Sequence, residues 1–390
     1  MTPNPFVKQY LMTAGPTPVP PAVSQAMAAP MLYHRAPAFV EVYERVLGKL
    51  PGVFQASGDV LTFAASGSGA MDSAAANLVR TGQPVMACAA GKFGERWIEL
   101  CEAYGAATVR YEPGWGERLD PAEIDRLLSE HDGIEVVFAT LSETSTGVVH
   151  DVAAIAEVTS RHGAILAVDA VSGLGAAELR QDAWGIDVVV AGSQKALMCP
   201  PGLGFASVSQ RALDYAQETT TGRYFFDWGR TASSQRKGDS PFTPAVPLIL
   251  GLDVALDMIE REGLEDVFAR HALLARATRA GAAALGLELF GDPDERSTVV
   301  TAVELPDTID GGKVPGALRK LGITANGGQN QLKGRILRIA HCGYFGAFDI
   351  LTSLSGLEMV LHQLGHEVEH GAGVGAAQRV FLEAGVPAVA

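Results

Sequence analysis

Short apolar segments alternate with longer helical patterns along the chain from about residue 55. Two of the helical patterns, PAEIDRLLSEH and DVAAIAEVTSRHG, carry apolar residues at a spacing near 3.6, which is typical of amphipathic helices. Strand, helix and strand in succession predict an α/β fold whose mostly parallel sheet is covered on both faces and binds ligands at the carboxyl ends of its strands. Seven segments rich in β-branched and apolar residues are the predicted strands: VLTFAAS, PVMACAA, ATVRYEP, IEVVFATLS, AILAVDAVS, DVVVAGS and GFASVS.

The pattern changes after about residue 243. The segment from TPAVPLIL to AAALG predicts one or two long helices with a bend near Glu262 and Gly263, and strands are predicted in STVVTAVELP, GITANGG and RILRIAHCG. The helix DILTSLSGLEMVLHQLG closes this unit, and the tail from about Ala372 is weakly patterned. Because 390 residues exceed what one core usually supports, we expect a large domain over residues 1–255 and a smaller α+β domain over residues 256–390.

Composition excludes some classes of partner. The net charge of -14 argues against a nucleic-acid partner, because phosphate backbones bind basic surfaces. No apolar run approaches the roughly 20 residues that span a bilayer, and the first residues lack the pattern of a signal peptide. Four scattered cysteines suit a reducing compartment better than a disulfide framework. We therefore expect a cytoplasmic protein without a membrane partner.

A loop of small residues follows the first predicted strand. In AASGSGAM, the backbone N–H groups of Ser66, Gly67 and Ser68 precede a predicted helix, and such N–H groups hold phosphate groups in many proteins. Small residues are also common in any packed turn between a strand and a helix, so this loop alone is weak evidence for a phosphate site.

Two charged residues stand at the ends of neighbouring predicted strands. Asp169 ends AILAVDAVS, and Lys195 follows the next strand in AGSQKALMCPPG. Such an acid can cap the next helix, lie in a surface loop, or keep a heterocyclic nitrogen protonated. A lysine there either reaches solvent or has its charge removed by chemistry.

The phosphate loop, Asp169 and Lys195 together are what pyridoxal phosphate chemistry requires. The lysine forms a Schiff base with the aldehyde, the aspartate holds the pyridinium so that the ring accepts electrons, and the loop anchors the phosphate. A nicotinamide-binding module would explain the parallel sheet, but the first turn lacks GxGxxG and this alternative leaves Lys195 and Asp169 unexplained. The sequence therefore predicts pyridoxal 5'-phosphate as the cofactor.

Eight motifs extend this hypothesis: TAGPTPVP, SGSGAM, GKFGERW, ETSTGVVHDV, VDAVSGLG, AGSQKALMCPPG, SPFTPAVP and RILRIAHCG. Their order resembles that of the class V aminotransferases of pyridoxal phosphate fold type I, and most of all the alanine/serine-glyoxylate branch. The resemblance extends to about residue 365. It implies a large domain with a mostly parallel seven-stranded sheet, an N-terminal segment that crosses the active site, and a homodimer with that site at the subunit interface.

The resemblance also implies roles around the cofactor. Phe93 would stack on the pyridine ring, although ordinary core packing explains a phenylalanine equally well without the family. Thr144 would hydrogen-bond to the ring oxygen of the cofactor, and Val171 would close the other face of the ring. Gln194 would join the groups around the phosphate.

Further roles concern the substrate and the neighbouring subunit. Arg338 matches the arginine that clamps the substrate carboxylate, a task that suits a planar guanidinium, but a surface arginine such as Arg335 fits the spacing equally well. The backbone of Gly15 would face the same carboxylate. Thr243 would reach the phosphate from a neighbouring subunit, and this chain has Ser240 where many relatives place a further tyrosine contact.

The predicted reaction is a ping-pong amino transfer from a small amino acid, alanine or serine, to a small 2-oxo acid, glyoxylate or pyruvate. One clear carboxylate clamp and no second obvious basic residue favour small partners. An unusual amine donor such as pyridoxamine stays open, because SPFTPAV and GLDVALD also resemble the pyridoxamine-pyruvate subgroup. A pyridoxal phosphate lyase of the same fold stays open too, because it would share the cofactor site. Cys199 lies close to Lys195, as a desulfurase would require, but the Pro-Pro-Gly that follows it favours a small packed side chain.

Other polar residues carry weaker signals. His362, His366 and His370 recur every four residues, a spacing that suits a metal site on one helix. Gly365 and the nearby chain end favour a fraying, solvated helix instead, so no metal is predicted. His34 and Arg35 are candidates to approach the substrate from a subunit interface, and the sequence assigns them no role.

Overall fold

The strands and helices follow the sequence pattern closely. The computed structural model describes residues 7–219, 222–291 and 296–385. The strands are β1 (Tyr10–Leu11), β2 (Asp59–Phe63), β3 (Pro84–Cys88), β4 (Ala107–Tyr111), β5 (Val136–Thr140), β6 (Ser142–Glu143), β7 (Val148–Val149), β8 (Ile165–Asp169), β9 (Val188–Gly192), β10 (Gly204–Val208), β11 (Val300–Glu304), β12 (Ile323–Thr324), β13 (Asn326–Gly327) and β14 (Ile336–Ala340). The helices are α1 (Pro21–Met27), α2 (Pro37–Phe54), α3 (Gly67–Leu78), α4 (Lys92–Ala103), α5 (Pro121–Glu130), α6 (Val152–Arg161), α7 (Gln181–Trp184), α8 (Gln210–Glu218), α9 (Trp228–Gln235), α10 (Val246–Glu262), α11 (Leu264–Ala284), α12 (Val314–Lys320), α13 (Ala347–Gln363) and α14 (Ala372–Glu383).

A seven-stranded sheet forms the centre of the larger part of the molecule. Its strand order is β2-β10-β9-β8-β5-β3-β4, and each of the seven predicted segments supplies one strand. Strand β10 runs antiparallel to both of its neighbours, whereas the other paired neighbours are parallel. The prediction of a mostly parallel seven-stranded sheet is confirmed. The carboxyl ends of β5, β8 and β9 consequently meet at one edge, which carries Asp169 and the loop of Lys195.

The central strands consist of nearly continuous apolar residues because both of their faces are covered. Every residue of β5, β8 and β9 is buried. Along β5, Val137 and Ala139 pack into one hydrophobic core and Val136 and Phe138 into another, as the two-residue period of a strand requires. Helices α2 and α10 contribute to the first core, and α3 and α4 contribute to the second.

The long helical segment after the sheet is divided at Gly263. Helix α10 ends at Glu262, and Gly263 has a φ of +85°, a conformation that favours glycine. This break lies where the sequence predicts a bend. A three-stranded antiparallel sheet of order β11-β14-β13 follows, and its core includes residues of α11 and α13, such as Leu274 and Leu354.

Helix α14 occupies the weakly patterned tail. It packs against α11 and α13, and its Phe381 is buried. A Cβ atom on Gly281 of α11 would lie 3.0 Å from the carbonyl oxygen of Gly373, so two glycines allow α11 and α14 to approach closely. Glycine and alanine at this contact give little hydrophobic periodicity, which explains the weak sequence signal.

The N-terminal segment runs from the C-terminal part of the fold to the edge of the large sheet. Strand β1 pairs in parallel with β12, and the Ala14 N–H donates to Asn326 Oδ1 at 3.0 Å. Thr17 N–H then donates to the Gln194 carbonyl at 3.1 Å.

Among the described residues, no helix combines the length and the apolar character needed to cross a bilayer.

Candidate active site

Lys195 is turned into the protein. Its loop follows β9, and the residue is 9% exposed. The Nζ atom donates to the Ala14 carbonyl at 2.5 Å, while the Thr17 hydroxyl donates to the Lys195 carbonyl at 2.9 Å. Burial lowers the pKa of the lysine, because a charged amine is poorly solvated there. Burial thus weakens the preference of this amine for its charged form.

Asp169 lies at the carboxyl end of β8 and is 4% exposed. Its Oδ1 atom accepts a hydrogen bond from the Val171 N–H at 2.7 Å, and no other donor in the described ranges bonds to this carboxylate. Burial raises the pKa of Asp169 from 3.8 to about 6, and the positive charges of Arg96 and Lys195 oppose this shift. The carboxylate is therefore well placed to accept from a further donor.

Asp169 and Lys195 line the same cavity, which has a volume of about 280 Å³. This is near the lower end of the range for small-molecule sites. The cavity is also lined by other residues with predicted roles, namely Gly15, Ser68, Phe93, Val171 and Gln194. Seven residues from five separate segments of the sequence are thus brought to one place.

The loop with the predicted phosphate site, residues 66–68, forms the start of α3. Ser66 caps this helix, and its hydroxyl accepts a hydrogen bond from Gly69 N–H at 3.2 Å. A Cβ atom on Gly67 would lie 2.7 Å from two methyl carbons of Val171, so only glycine allows the loop this close to that side chain. Ser66 therefore orders the loop, and Ser68 faces the cavity.

Phe93 is positioned by a residue to which the sequence assigns no role. Glu143 is fully buried, and its Oε2 atom accepts from the N–H groups of Phe93 and Gly94, both at 3.0 Å. Its Oε1 atom accepts from the hydroxyl of Ser145 at 2.5 Å. Burial raises the pKa of Glu143. The carboxyl group of Glu143 thus holds the first turn of α4 in place. Glu143 belongs to the ETSTG motif, but its partners Phe93 and Gly94 are far away in the sequence and are known only from the structure.

Thr144 and Gln194 differ in their surroundings. The Thr144 hydroxyl shares a hydrogen bond of 2.5 Å with the Ser172 hydroxyl, and the predicted bond of Thr144 to a ring oxygen stays a prediction. Gln194 lines the cavity, and its Oε1 atom is buried without a hydrogen-bond partner in the described residues. A buried acceptor left in this way is costly, and the same amide carries an NH2 group that can donate to a ligand in the cavity.

Arg338 is a buried cation on β14. It is 6% exposed, and its Nε and Nη1 atoms donate to the carbonyls of Gly327 at 2.9 Å and Thr144 at 3.1 Å. Burial lowers the pKa of Arg338 to about 10, so the group stays charged at neutral pH. No carboxylate in the described part of the chain forms an ion pair with it, and its charge lowers the pKa of Lys195. Arg335 is exposed. The buried position favours the clamp that the resemblance implies.

Gly15 packs directly against the lysine. A Cβ atom there would lie 2.2 Å from Lys195 Nζ, and the φ of Gly15 is +144°. Both facts require glycine, because a side chain would displace the amine or strain the backbone. The N-terminal segment therefore forms part of the cavity wall.

Thr243 lies outside this cavity. It is exposed and lines a separate surface hollow with Ser240 and Phe242. Its predicted contact involves a second subunit and stays a prediction.

The remaining polar candidates have structural partners. His341 is buried, and its ring nitrogens lie 2.9 Å from the Thr301 hydroxyl and 2.8 Å from the Thr298 carbonyl. Arg35 pairs with Asp239 at 2.8 Å, and both are largely exposed. These contacts account for His341 and Arg35 without a substrate.

The histidine series does not form a metal site. Helix α13 ends at Gln363, so His362, His366 and His370 do not share one helix. The described residues contain no group of histidine, cysteine or acidic side chains suited to a metal ion.

Cys199 is buried, which raises the pKa of its thiol to about 12 and keeps it a poor nucleophile.

Known proteins resemble this chain in sequence and in fold. Residues 9–339 match the family described as aminotransferase class-V. The chain belongs to that family. It is 41% identical over 382 residues to a protein of Synechococcus named the small subunit of a soluble hydrogenase, with 97% of this chain and 99% of that protein covered. It is 34% identical over 388 residues to a serine–glyoxylate aminotransferase of Methylorubrum extorquens, with 96% of each covered.

A solved structure gives the same result for this class-V aminotransferase. The pyridoxamine-pyruvate aminotransferase of Mesorhizobium loti superposes with a TM-score of 0.93 at 30% identity, covering 98% of this chain and 100% of that chain. The predicted family and fold type I are confirmed.

Proposed function

We propose that this class-V aminotransferase uses pyridoxal 5'-phosphate to move an amino group from alanine or serine to glyoxylate or pyruvate in a ping-pong reaction. The observation that carries the proposal is that Lys195 and Asp169, from different strand ends, line one buried cavity. A buried amine with a lowered pKa and a carboxylate with a single hydrogen bond in one place suit this chemistry. The serine–glyoxylate relative supports the choice of substrates.

The side chains present fit the cofactor. Gln194 brings its side-chain amide to the cavity, where the NH2 group can donate to phosphate oxygens, and Asp169 offers a carboxylate with one hydrogen bond. Lys195 offers an amine whose positive form is disfavoured by burial. We propose that Ser66, Gly67, Ser68 and Gln194 surround the phosphate, that Phe93 and Val171 enclose the ring, and that Thr144 bonds to it. When bound, the cofactor supplies an aldehyde and an electron-accepting ring.

The protein then moves protons and orients the substrate. The Nζ atom of Lys195 takes the proton that leaves the α carbon of the substrate, because an uncharged amine is a suitable base. The carboxylate of Asp169 would hold a proton on the ring nitrogen of the bound cofactor by charge and hydrogen bonding. Arg338 binds the α-carboxylate, and the backbone at Gly15 closes that side of the cavity. Burial of all these groups excludes water from the reacting atoms.

We also propose a homodimer in which Thr243 reaches the cavity of the neighbouring subunit. Beside it lies an exposed aromatic surface: Tyr224 is 68% exposed and Phe225 is 39% exposed, with the Phe225 ring stacked 5.0 Å from that of Phe242. Exposed apolar clusters often mark interaction surfaces.

A cytoplasmic location is proposed from the four buried, free cysteines, which suit a reducing compartment.

A half-reaction panel tests the proposed function. The cofactor-loaded protein is mixed with one donor at a time, namely alanine, serine, aspartate or pyridoxamine, and the visible spectrum is followed without an acceptor. We expect alanine or serine to convert the spectrum fastest and glyoxylate or pyruvate to restore it. Formation of elimination products without any need for a 2-oxo acid would identify a lyase instead, and conversion by pyridoxamine alone would identify the unusual donor.

Replacing Arg338 with alanine tests the substrate clamp. We expect KM for alanine or serine to rise roughly 10- to 100-fold, the range for a lost hydrogen bond to a charged group, while cofactor retention stays unchanged. Arg335→Ala is the matched control, because Arg335 is exposed and lies just before the same strand. Equal effects of the two substitutions, or normal substrate binding without Arg338, would contradict the assignment.

A further inference from the structure

Arg96 is a second arginine at the cavity, and the sequence gives it no role. It lies on α4 one turn after Phe93, and its guanidinium carbon is 5.2 Å from the centre of the Phe93 ring. Its Nη1 atom donates to the Ser68 hydroxyl at 2.9 Å. Arg96, Ser68 and Phe93 all line the same cavity. The guanidinium is therefore held at the end of the cavity formed by the first turn of α3.

The charge of Arg96 is not neutralised by an ion pair. No carboxylate in the described ranges lies within ion-pair distance of it. By contrast, Lys92 of the same helix pairs with Glu95 at 3.2 Å and Glu99 at 3.0 Å. Since Lys195 is the other cationic side chain in the cavity lining and burial disfavours its charge, Arg96 is the permanent positive charge of this wall.

The chain approaches itself closely around this end of the cavity. A Cβ atom on Gly192 would lie 3.2 Å from the Gly67 nitrogen and 2.7 Å from the unpartnered Oε1 atom of Gln194. Glycines at positions 67 and 192 thus allow the first turn of α3 to lie directly against the end of β9. Backbone N–H groups of the first turn of a helix favour an anion, and here a hydrogen-bonded guanidinium stands beside them.

We propose that Arg96 is the charged ligand of the cofactor phosphate. A phosphate monoester carries close to two negative charges at neutral pH, and guanidinium groups bind phosphate with two parallel hydrogen bonds. Arg96 reaches Ser68, the residue of the loop that faces the cavity, without any change in backbone conformation. This inference rests on the proposed function. The guanidinium of Arg96 could equally bind the second carboxylate of an acidic amino donor, and the experiment distinguishes this carboxylate from the phosphate.

The test compares two ligands that differ only in the phosphate. Apoprotein is titrated with pyridoxal phosphate and with pyridoxal, and binding is followed by absorbance rather than by turnover. For Arg96→Ala we expect Kd for pyridoxal phosphate to rise roughly 10- to 100-fold, the range for a hydrogen bond to a charged group, with Kd for pyridoxal unchanged. Arg96→Lys should recover part of the loss. Arg126→Ala, on the exposed face of α5, is the control for a lost positive charge.

Each other outcome has a distinct meaning. Equal weakening of both ligands would show that Arg96 only supports the fold, and the inference would be wrong. Unchanged Kd for pyridoxal phosphate, with a raised KM for aspartate but not for alanine, would assign Arg96 to a substrate carboxylate and overturn the phosphate assignment. If the wild-type protein bound pyridoxal phosphate no better than pyridoxal, the inference would fail; if it bound neither, the proposed function would fail as well.

Discussion

Replacing Lys195 with alanine will lower the rate of amino transfer by at least about 10³-fold, because the group that moves the substrate proton is removed. The visible spectrum of the loaded protein should change as well, since no amine remains to bind the aldehyde covalently. Cofactor should still bind through the groups around the phosphate. Steady-state rates with alanine and glyoxylate measure the loss, and absorbance titration measures the retained binding.

Chemical trapping makes this prediction independent of activity. Borohydride reduction followed by peptide mass analysis should place the cofactor on Lys195 in the wild-type protein and on no peptide of the alanine variant. Lys333→Ala is the matched control, because Lys333 is exposed on the loop before β14. Substantial turnover in Lys195→Ala, or trapping of the cofactor on another lysine, would remove the proposed mechanism.

Replacing Asp169 with asparagine should have opposite effects on the empty and the loaded protein. Burial raises the pKa of Asp169 from 3.8 to about 6, so the folded apoprotein holds this proton more tightly than the unfolded chain. The contribution of Asp169 to the free energy of unfolding is therefore greatest below pH 4 and falls as pH rises to about 6, by about 3 kcal/mol in total. Apoprotein with Asp169→Asn should consequently be the more stable form at pH 8, and the difference should shrink towards pH 4.

The loaded enzyme should lose activity through the same substitution. An amide cannot supply the negative charge that would keep the ring nitrogen of the cofactor protonated. Turnover should therefore fall by on the order of 10²–10³-fold, as when one electrostatic partner is removed from a buried site. Urea unfolding of the apoprotein across pH 4–8 and steady-state rates check the two arms. Asp132→Asn controls for the loss of an exposed negative charge. An Asp169→Asn apoprotein that is no more stable at pH 8 would contradict the first arm, and full turnover would contradict the second.

The main sheet and the two strand-end charges were predictable because their signals are local. Continuous apolar runs mark strands that are buried on both faces, and a polar residue at the end of such a run marks the sheet edge. Lys195 and Asp169 could therefore be placed at one edge before their contacts were known. Helix α14 was less visible, since glycine and alanine at its contact with α11 carry little periodicity.

The two arginines of RILRIAHCG illustrate the limit of local signals. Arg335 and Arg338 lie three positions apart in one short motif, and spacing alone treats them alike. In the structure Arg335 is exposed, whereas Arg338 is 6% exposed and held by carbonyl groups. Only the packing of β14 against β11 and β13 creates this difference.

By itself, the sequence determined the α/β sheet, the order of its strand-end motifs and the residue types that make covalent cofactor chemistry feasible, because these depend on hydrophobic pattern and on chemistry carried by single side chains. The tertiary structure alone decided that Gly15 packs on the Lys195 amine, that Glu143 fixes the first turn of α4, and that Arg96 stands beside Ser68. These contacts join segments far apart in the chain, and their energies depend on burial and distance, which no local pattern encodes.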